Sequence, residues 1–251
     1  MTNKLKYFVG NWKMFGDFTS FKIIERVIKF SKSFNKSKRN KIIFCIPNTL
    51  IYAFKKKTQS KNIFIGAQNC HHNNEYGSFT GSVNAIMLKK VGAEFVILGH
   101  SENRKEGDTY NIIKKKIHSA LKQNLNVIFC IGETLKEKKN KKTFVTLKKQ
   151  LLNSLSKKFK MKKIIFAYEP IWSIGTNKTP NIHELKKNII FIKKQCKKYF
   201  KNTEPKVLYG GSVNEKNIRK FSSILDIDGF LIGGASQSSK KFIDIIKNYY
   251  K

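Results

Sequence analysis

Eight short apolar runs recur along the chain, and they constrain its fold more than any other feature. Each run is rich in β-branched or aromatic residues and is almost continuously apolar, as expected for a strand buried on both faces of a sheet. The predicted strands are residues 5–9, 41–46, 62–67, 94–98, 126–131, 163–168, 206–209 and 229–232.

Helical patterns separate these runs. Apolar residues at intervals of three and four predict amphipathic helices after the first, fourth, fifth, sixth and eighth strands. These patterns lie in residues 21–28, 113–121, 144–155, 185–196 and 242–249. The helices after the second, third and seventh strands are expected to be shorter.

The alternation of eight strands with helices in 251 residues predicts an α/β protein, a parallel (β/α)8 barrel. A doubly wound open sheet is the alternative, but it usually has fewer strands, and no Gly-x-Gly-x-x-Gly motif follows the first strand. No linker rich in Pro, Gly or Ser divides the chain, so residues 1–251 are predicted to form a single domain.

The net charge of +35 is typical of a nucleic-acid-binding protein. However, only four of the 51 basic residues are Arg, and the lysines are spread along the whole chain. Proteins that bind nucleic acid more often concentrate basic residues on one element, so we interpret the charge as a codon bias expressed on solvated surfaces. An anion- or nucleic-acid-binding protein on a barrel scaffold remains the alternative function.

The cysteines and the hydropathy pattern bear on location and cofactors. The four cysteines, Cys45, Cys70, Cys130 and Cys196, form no Cys-x-x-Cys pair, which argues against a thiol redox or zinc motif and fits a reducing cytoplasm. Apart from His100, the histidines show no metal-ligand spacing and are expected on the surface, so no metal site is predicted; they are His71, His72, His118 and His183. No apolar run approaches the roughly 20 residues that span a bilayer.

Polar residues follow the strands where a barrel enzyme carries its active site, at the C-terminal ends. Asn11 and Lys13 follow the first strand, His100 follows the fourth, and Glu169 follows the sixth. Because parallel strands all end at the same mouth, these four side chains are expected to converge.

Each of these residues suits a distinct chemical task. Glu169 precedes apolar Ile171 and Trp172, and exclusion of water there would raise its basicity, which suits a general base. His100 opens a helix, whose dipole favours a neutral imidazole that donates a hydrogen bond to a carbonyl. Lys13 supplies positive charge for an enolate or a phosphate.

Glycine pairs follow the last two strands, at Gly210-Gly211-Ser212 and Gly233-Gly234. Glycines expose backbone N–H groups, and this end of a barrel commonly binds phosphate. The sequence therefore predicts an anionic, phosphorylated substrate.

Six segments together resemble the triosephosphate isomerase family and its TIM barrel, in the same order and over essentially the whole chain. They are residues 11–14 (NWKM), 99–102 (GHSE), 130–133 (CIGE), 167–176 (AYEPIWSIGT), 209–213 (YGGSV) and 229–236 (GFLIGGAS). A different phosphate-sugar isomerase on the same fold is disfavoured by the number of matching segments.

The resemblance implies residue roles that are already known for the family. Glu169 would remove a proton beside the carbonyl of dihydroxyacetone phosphate, and neutral His100 would shuttle protons between the two oxygens. Lys13 and Asn11 would stabilise the enediolate, and the product would be glyceraldehyde 3-phosphate. Because the chemistry is proton transfer alone, no cofactor or metal is expected.

The resemblance also implies how the phosphate is bound. Backbone N–H groups near Gly175, Ser212, Gly233 and Gly234 would hold it, under a lid formed by residues 170–179. Excluding water protects the enediolate from losing phosphate. Ser101 and Glu102 are expected to support the site, and Glu133 is either a support or a structural ion-pair partner.

A homodimer is implied by the loop of residues 68–81, which in the family reaches into a second subunit and brings Thr80 near the partner's site. Ser82 and Asn103 stand where the family commonly has a Glu–Arg pair. Both charges are absent together, so neither is left unpaired. A dimer is expected, and these two changes are expected to alter how firmly its interface is held.

Two further departures concern single positions. Asn177 replaces a usual lid glycine, and Asn is the non-glycine residue that best tolerates a positive φ. Phe15 stands where a small polar residue is common, and the sequence offers no account of it.

Overall fold

A computed structural model describes residues 4–58, 60–200 and 204–251. Eight parallel strands are hydrogen-bonded in chain order, and the first pairs with the last, so the sheet closes into a barrel. The strands are β1 (Lys6–Asn11), β2 (Asn40–Cys45), β3 (Ile63–Ala67), β4 (Phe95–Leu98), β5 (Asn126–Ile131), β6 (Ile164–Tyr168), β7 (Lys206–Tyr209) and β8 (Gly229–Ile232). The predicted (β/α)8 TIM barrel is confirmed. That residues 1–251 form one domain stays a prediction, and residues 1–3, 59 and 201–203 lie outside the described part.

The end of β1 differs from the sequence prediction. The strand continues to Asn11, because Gly10 and Asn11 pair with Phe44 and Cys45 of β2. Ladder hydrogen bonds come from the backbone, so a polar side chain at the strand end does not interrupt them. Asn11 is therefore fixed by the sheet itself and does not sit in a loop beyond it.

Ten helices accompany the strands in the described part of the chain. They are α1 (Phe21–Ser33), α2 (Ile51–Lys57), α3 (Ala85–Lys90), α4 (Ser101–Lys105), α5 (Tyr110–Lys122), α6 (Leu135–Lys139), α7 (Thr143–Ser154), α8 (Ile182–Phe200), α9 (Ile218–Phe221) and α10 (Ser239–Tyr249). The five predicted amphipathic helices and the three shorter ones are all present. The periodicity did not predict α4 and α6, which have five residues each and are too short to show it.

The core has two apolar layers. Inward-facing residues such as Val9, Ile97 and Leu208 fill the barrel, and a larger cluster joins the outer strand faces to the helices. Burying one such side chain contributes about 1.5–3 kcal/mol. A filled barrel leaves its C-terminal mouth as the place for a site.

A helix that crosses a bilayer needs about 20 predominantly apolar residues. None of the helices within residues 4–58, 60–200 and 204–251 is long and apolar enough to cross a membrane.

Candidate active site

A cavity of about 530 Å³ opens at the C-terminal mouth of the barrel. All eight predicted site residues line it: Asn11, Lys13, His100, Glu169, Gly175, Ser212, Gly233 and Gly234. The convergence follows from strand geometry, because residues far apart in sequence end their strands at the same edge.

Glu169 follows β6 and is only 5% exposed. Two glycines make room for it: a Cβ at Gly210 would lie 2.5 Å from its Cγ, and a Cβ at Gly132 would lie 1.8 Å from its carbonyl oxygen. Burial raises the pKa of Glu169, and the contacts with the neighbouring His100 ring, the Cys130 thiol and the Lys13 ammonium group offset this only in part. A carboxylate held in this way is a stronger base than one in water.

His100 caps the N-terminus of α4, where its Nδ1 accepts a hydrogen bond of 3.3 Å from the backbone N–H of Glu102. An Nδ1 that accepts carries no proton, so this contact favours the neutral tautomer with the proton on Nε2. Nε2 lies 3.7 Å from Oε1 of Glu169. The ring therefore presents an N–H donor to the cavity, beside the carboxylate.

Hydrogen bonds hold Lys13 at both its backbone and the end of its side chain. Its backbone N–H donates to Oδ1 of Asn11 at 3.2 Å, and its Nζ donates to Oε1 of Glu102 at 2.5 Å. Partial burial raises the pKa of Glu102, but the hydrogen bond from Lys13 and the neighbouring positive charges leave the pKa lowered overall. Glu102 thus stays ionised beside the ammonium group, as expected of a supporting residue.

The backbone of Lys13 has a φ of 56°, in the left-handed region. For a residue with a Cβ, this conformation costs about 1–2 kcal/mol. Strain of this kind persists only where the surroundings hold it, and it is common at functional sites. The segment after β1 is therefore shaped to aim this side chain.

The two glycine segments form one end of the cavity. Gly234 begins a 3-10 turn over Gly234–Gln237, and Ser236 N–H bonds back to the carbonyl of Gly233 at 2.8 Å. Lys216 and Lys241 also line the cavity. Sequence reasoning missed these two lysines, because lysine is so frequent here that its residue type carries no signal.

Ser212 reaches the cavity but is also bound to the lid. Its hydroxyl donates to the carbonyl of Ser173 at 2.6 Å and accepts from the N–H of Asn177 at 3.1 Å. Asn177 has a φ of 59°, a conformation that Asn tolerates better than other non-glycine residues do. Gly175 is also in this region, with a φ of 70°.

Glu133 is fully buried and accepts hydrogen bonds. The hydroxyl of Tyr168 donates to it at 3.1 Å, and Nε1 of Trp172 donates at 3.0 Å. Of the two alternatives for this carboxylate, the described contacts favour a supporting role, because its hydrogen-bond donors are neutral. Through the hydrogen bond from Trp172, Glu133 anchors the N-terminal part of the lid.

Phe15, for which the sequence offers no account, packs edge-on against Trp12 with ring centroids 5.9 Å apart. Of the remaining histidines, His118 and His183 are exposed, whereas His71 and His72 are half-buried with ring centroids 4.3 Å apart. Within the described residues, no group of three or more His, Cys, Asp or Glu side chains is arranged to hold a metal ion. The four cysteines are free and buried.

Comparisons with known proteins agree with this geometry. The family model described as triosephosphate isomerase matches residues 6–249. A protein named triosephosphate isomerase from Thermodesulfovibrio yellowstonii is 38% identical over 251 residues, covering 96% of this chain and 98% of that protein. Another from Mycoplasma mobile is 39% identical over 248 residues, covering 96% and 99%.

A solved structure shows the same architecture. The crystal structure of triosephosphate isomerase from Bartonella henselae superposes with a TM-score of 0.88 at 33% identity, covering 98% of this chain and 99% of that one. The chain belongs to the triosephosphate isomerase family.

Proposed function

We propose that this isomerase interconverts dihydroxyacetone phosphate and glyceraldehyde 3-phosphate, as in glycolysis and gluconeogenesis, with Glu169 as the base. One observation carries the proposal. A buried carboxylate with a raised pKa lies 3.7 Å from Nε2 of His100, in a cavity shared with Lys13. A base, a proton donor and a fixed positive charge are the groups that proton transfer beside a carbonyl requires.

The proton steps balance as follows. Glu169 takes a proton from the carbon beside the carbonyl, and the electron pair moves onto the carbonyl oxygen. His100 donates its Nε2 proton to that oxygen and takes a proton from the neighbouring hydroxyl. Glu169 then returns its proton to the adjacent carbon. Lys13 and Asn11 stabilise the negative charge of the enediolate between these steps.

The phosphate is placed at the other end of the cavity. Gly175 of the lid faces the glycine segments there, with Ser212, Gly233 and Gly234. Backbone N–H groups suit phosphate oxygens, and Lys216 and Lys241 add positive charge. This end fixes the substrate so that its reacting carbon meets Glu169.

A homodimer is part of the proposal. Met14, Phe15, Tyr76 and Phe79 are exposed apolar side chains on loops at the mouth of the barrel or in the predicted interface loop. A second cavity of about 240 Å³ lies beside the active site and is lined by Met14, Asn103 and Glu102 among others. Large apolar side chains exposed on these loops indicate an interaction surface. In the proposed dimer, loop 68–81 of the partner contacts this surface.

The proposal also covers cofactors, cellular location and other partners. Proton transfer by side chains needs no organic cofactor, and none is proposed. The four free cysteines support a cytoplasmic location. We assign the excess of lysine to solvated faces, without a specific nucleic-acid or membrane partner.

The test is interconversion of the two triose phosphates by the purified chain. Glu169→Gln keeps the shape of the side chain but removes the base, so kcat should fall about 10²- to 10⁴-fold. Glu25→Gln is the matched control, because Glu25 lies on α1 with its side chain half exposed. Full activity in Glu169→Gln, or no interconversion by the unmodified chain, rules out the proposal.

A further inference from the structure

We propose that Ser173 is a positioning residue whose buried hydroxyl ties the lid, residues 170–179, to the segment Tyr209–Ser212 and so holds the lid over the phosphate end of the cavity. The inference rests on the proposed function, because it concerns how the same site retains its substrate. None of the roles assigned above uses this side chain.

The geometry at Ser173 joins three parts of the site. The residue is fully buried at the end of a 3-10 turn (Ile171–Ser173). Its Oγ donates to the carbonyl of Lys178 at 2.5 Å and accepts from the N–H of Ser212 at 3.3 Å. The hydroxyl of Tyr209 lies 3.3 Å away, at hydrogen-bond distance. One oxygen on the first half of the lid therefore contacts Lys178 in its second half and also contacts the end of β7.

The first contact sets the shape of the lid. A bond from Ser173 to Lys178 spans five residues and closes the lid into a loop around Gly175 and Asn177. Both of these residues have positive φ and line the cavity. The hydroxyl thus supports the positive-φ backbone that faces the phosphate end.

The other contacts fix where the lid lies. The Tyr209–Ser212 segment packs so closely that a Cβ on Gly211 would lie 2.6 Å from Oγ of Ser173 and 2.3 Å from the hydroxyl of Tyr209. The backbone therefore meets the two hydroxyl groups directly. A contact without spare volume has one arrangement, so the lid is docked in a defined position.

Two further bonds support the same docking without using the Ser173 side chain. Ser212 donates to the carbonyl of Ser173 and accepts from Asn177. Removal of the Ser173 hydroxyl should therefore weaken the docked lid and not abolish it. Since substrate is retained by the docked state, a lower population of that state raises the apparent KM in proportion.

The experiment compares Ser173→Ala with the unmodified chain in three measurements. The first is KM and kcat for triose phosphate interconversion, and the second is inhibition by inorganic phosphate. The third is hydrogen exchange of peptides covering the lid, with peptides of α1 as the internal reference. Ser154→Ala is the matched control, because Ser154 is also fully buried but its hydroxyl has no hydrogen-bond partner among the described residues.

The hydroxyl makes a few hydrogen bonds of modest net strength, so we expect Ser173→Ala to raise KM and the inhibition constant for phosphate about threefold to tenfold. The change in kcat should be less than about twofold, because the reacting groups are untouched. Exchange should become faster in the lid alone, and Ser154→Ala should show none of these effects.

The outcomes separate the inference from the proposed function. If the unmodified chain interconverts triose phosphates and Ser173→Ala has the same or a lower KM with unchanged lid exchange, the positioning role is wrong and the function stands. Faster exchange throughout the protein with unchanged KM also overturns the role, because it shows a loss of stability alone. If neither protein interconverts triose phosphates, the proposed function itself fails.

Discussion

Nε2 of His100 lies 3.7 Å from Oε1 of Glu169, and both side chains are at least 94% buried. The two groups approach the cavity from β4 and β6, which are not neighbours in the barrel. A proton donor and a proton acceptor thus face the same small volume, away from bulk water. At this separation the two groups are not hydrogen-bonded to each other, so each is free to contact a substrate.

The first prediction concerns pH. Burial raises the pKa of Glu169, and the base must be ionised to act, so kcat/KM should fall as the pH drops through a value above that of an ordinary glutamate. Because substrate phosphate also titrates near pH 6, an independent measurement is needed. Infrared difference spectra of the unmodified chain minus Glu169→Gln should show a carboxylic acid band that titrates in the same range. A band that disappears at or below about pH 4.3 contradicts the raised pKa.

The second prediction concerns stability. A carboxyl group whose pKa is higher in the folded chain binds protons more tightly there, so folding loses stability as the pH rises from the unfolded pKa through the folded one. Glu169→Gln should therefore raise Tm by a few degrees at pH 7, and the gain should vanish near pH 4. Thermal unfolding at both pH values tests this, with Glu25→Gln as the exposed control. An equal or lower Tm for Glu169→Gln at pH 7 counts against a penalty for the buried charge.

The third prediction concerns the lid backbone at Asn177, which has a φ of 59°. A β-branched residue tolerates this region poorly, so Asn177→Val should cost the docked lid about 1–2 kcal/mol. KM should rise about fivefold to thirtyfold while the Tm of the barrel changes little. Asn177→Gly is the control, because glycine adopts the same φ without strain, and it should keep KM within about twofold. Equal KM values for the Val and Gly variants would show that the lid tolerates another backbone conformation.

The fourth prediction concerns the contact between Lys13 and Glu102, at 2.5 Å. Glu102→Gln should lower kcat/KM about tenfold because the ammonium group loses its charged anchor, and Lys13→Met should lower it by about 100-fold or more. In the double variant the two losses should not add, because the anchor acts only through the lysine. The exposed pair Glu25–Lys29, with N···O of 3.7 Å, provides matched variants that should leave kcat/KM unchanged. Fully additive losses in the double variant would separate Glu102 from Lys13.

The fifth prediction concerns assembly. Sedimentation over a concentration series should give a dimer at micromolar concentration. Phe79→Asp places a charge on an exposed ring of the predicted interface loop, and it should shift the chain towards monomer and reduce activity. Leu225→Asp is the control, since Leu225 is also an exposed apolar residue but lies on the segment before β8. Monomer alone in the unmodified chain would overturn the proposed dimer.

The sequence by itself determined the barrel and which polar residues lie at its mouth. Buried parallel strands need continuous apolar runs, and that pattern is local, so eight strands could be counted without coordinates. Parallel strands also end at one mouth, so Asn11, Lys13, His100 and Glu169 were expected to meet there, and all four line one cavity. The positive φ of Asn177 is compatible with the sequence, because Asn is the non-glycine residue that tolerates this conformation best.

Only the tertiary structure decided how those side chains are held. The hydrogen bond between Lys13 and Glu102 joins segments 89 residues apart, and the room for Glu169 comes from glycines that directly follow β5 and β7. Nothing in the sequence distinguishes Ser173 from the other serines, and only the structure shows that its hydroxyl bonds to both Lys178 and Ser212. Hydrogen-bond partners and burial depend on distances between remote parts of the chain, and no local pattern of residues records those distances.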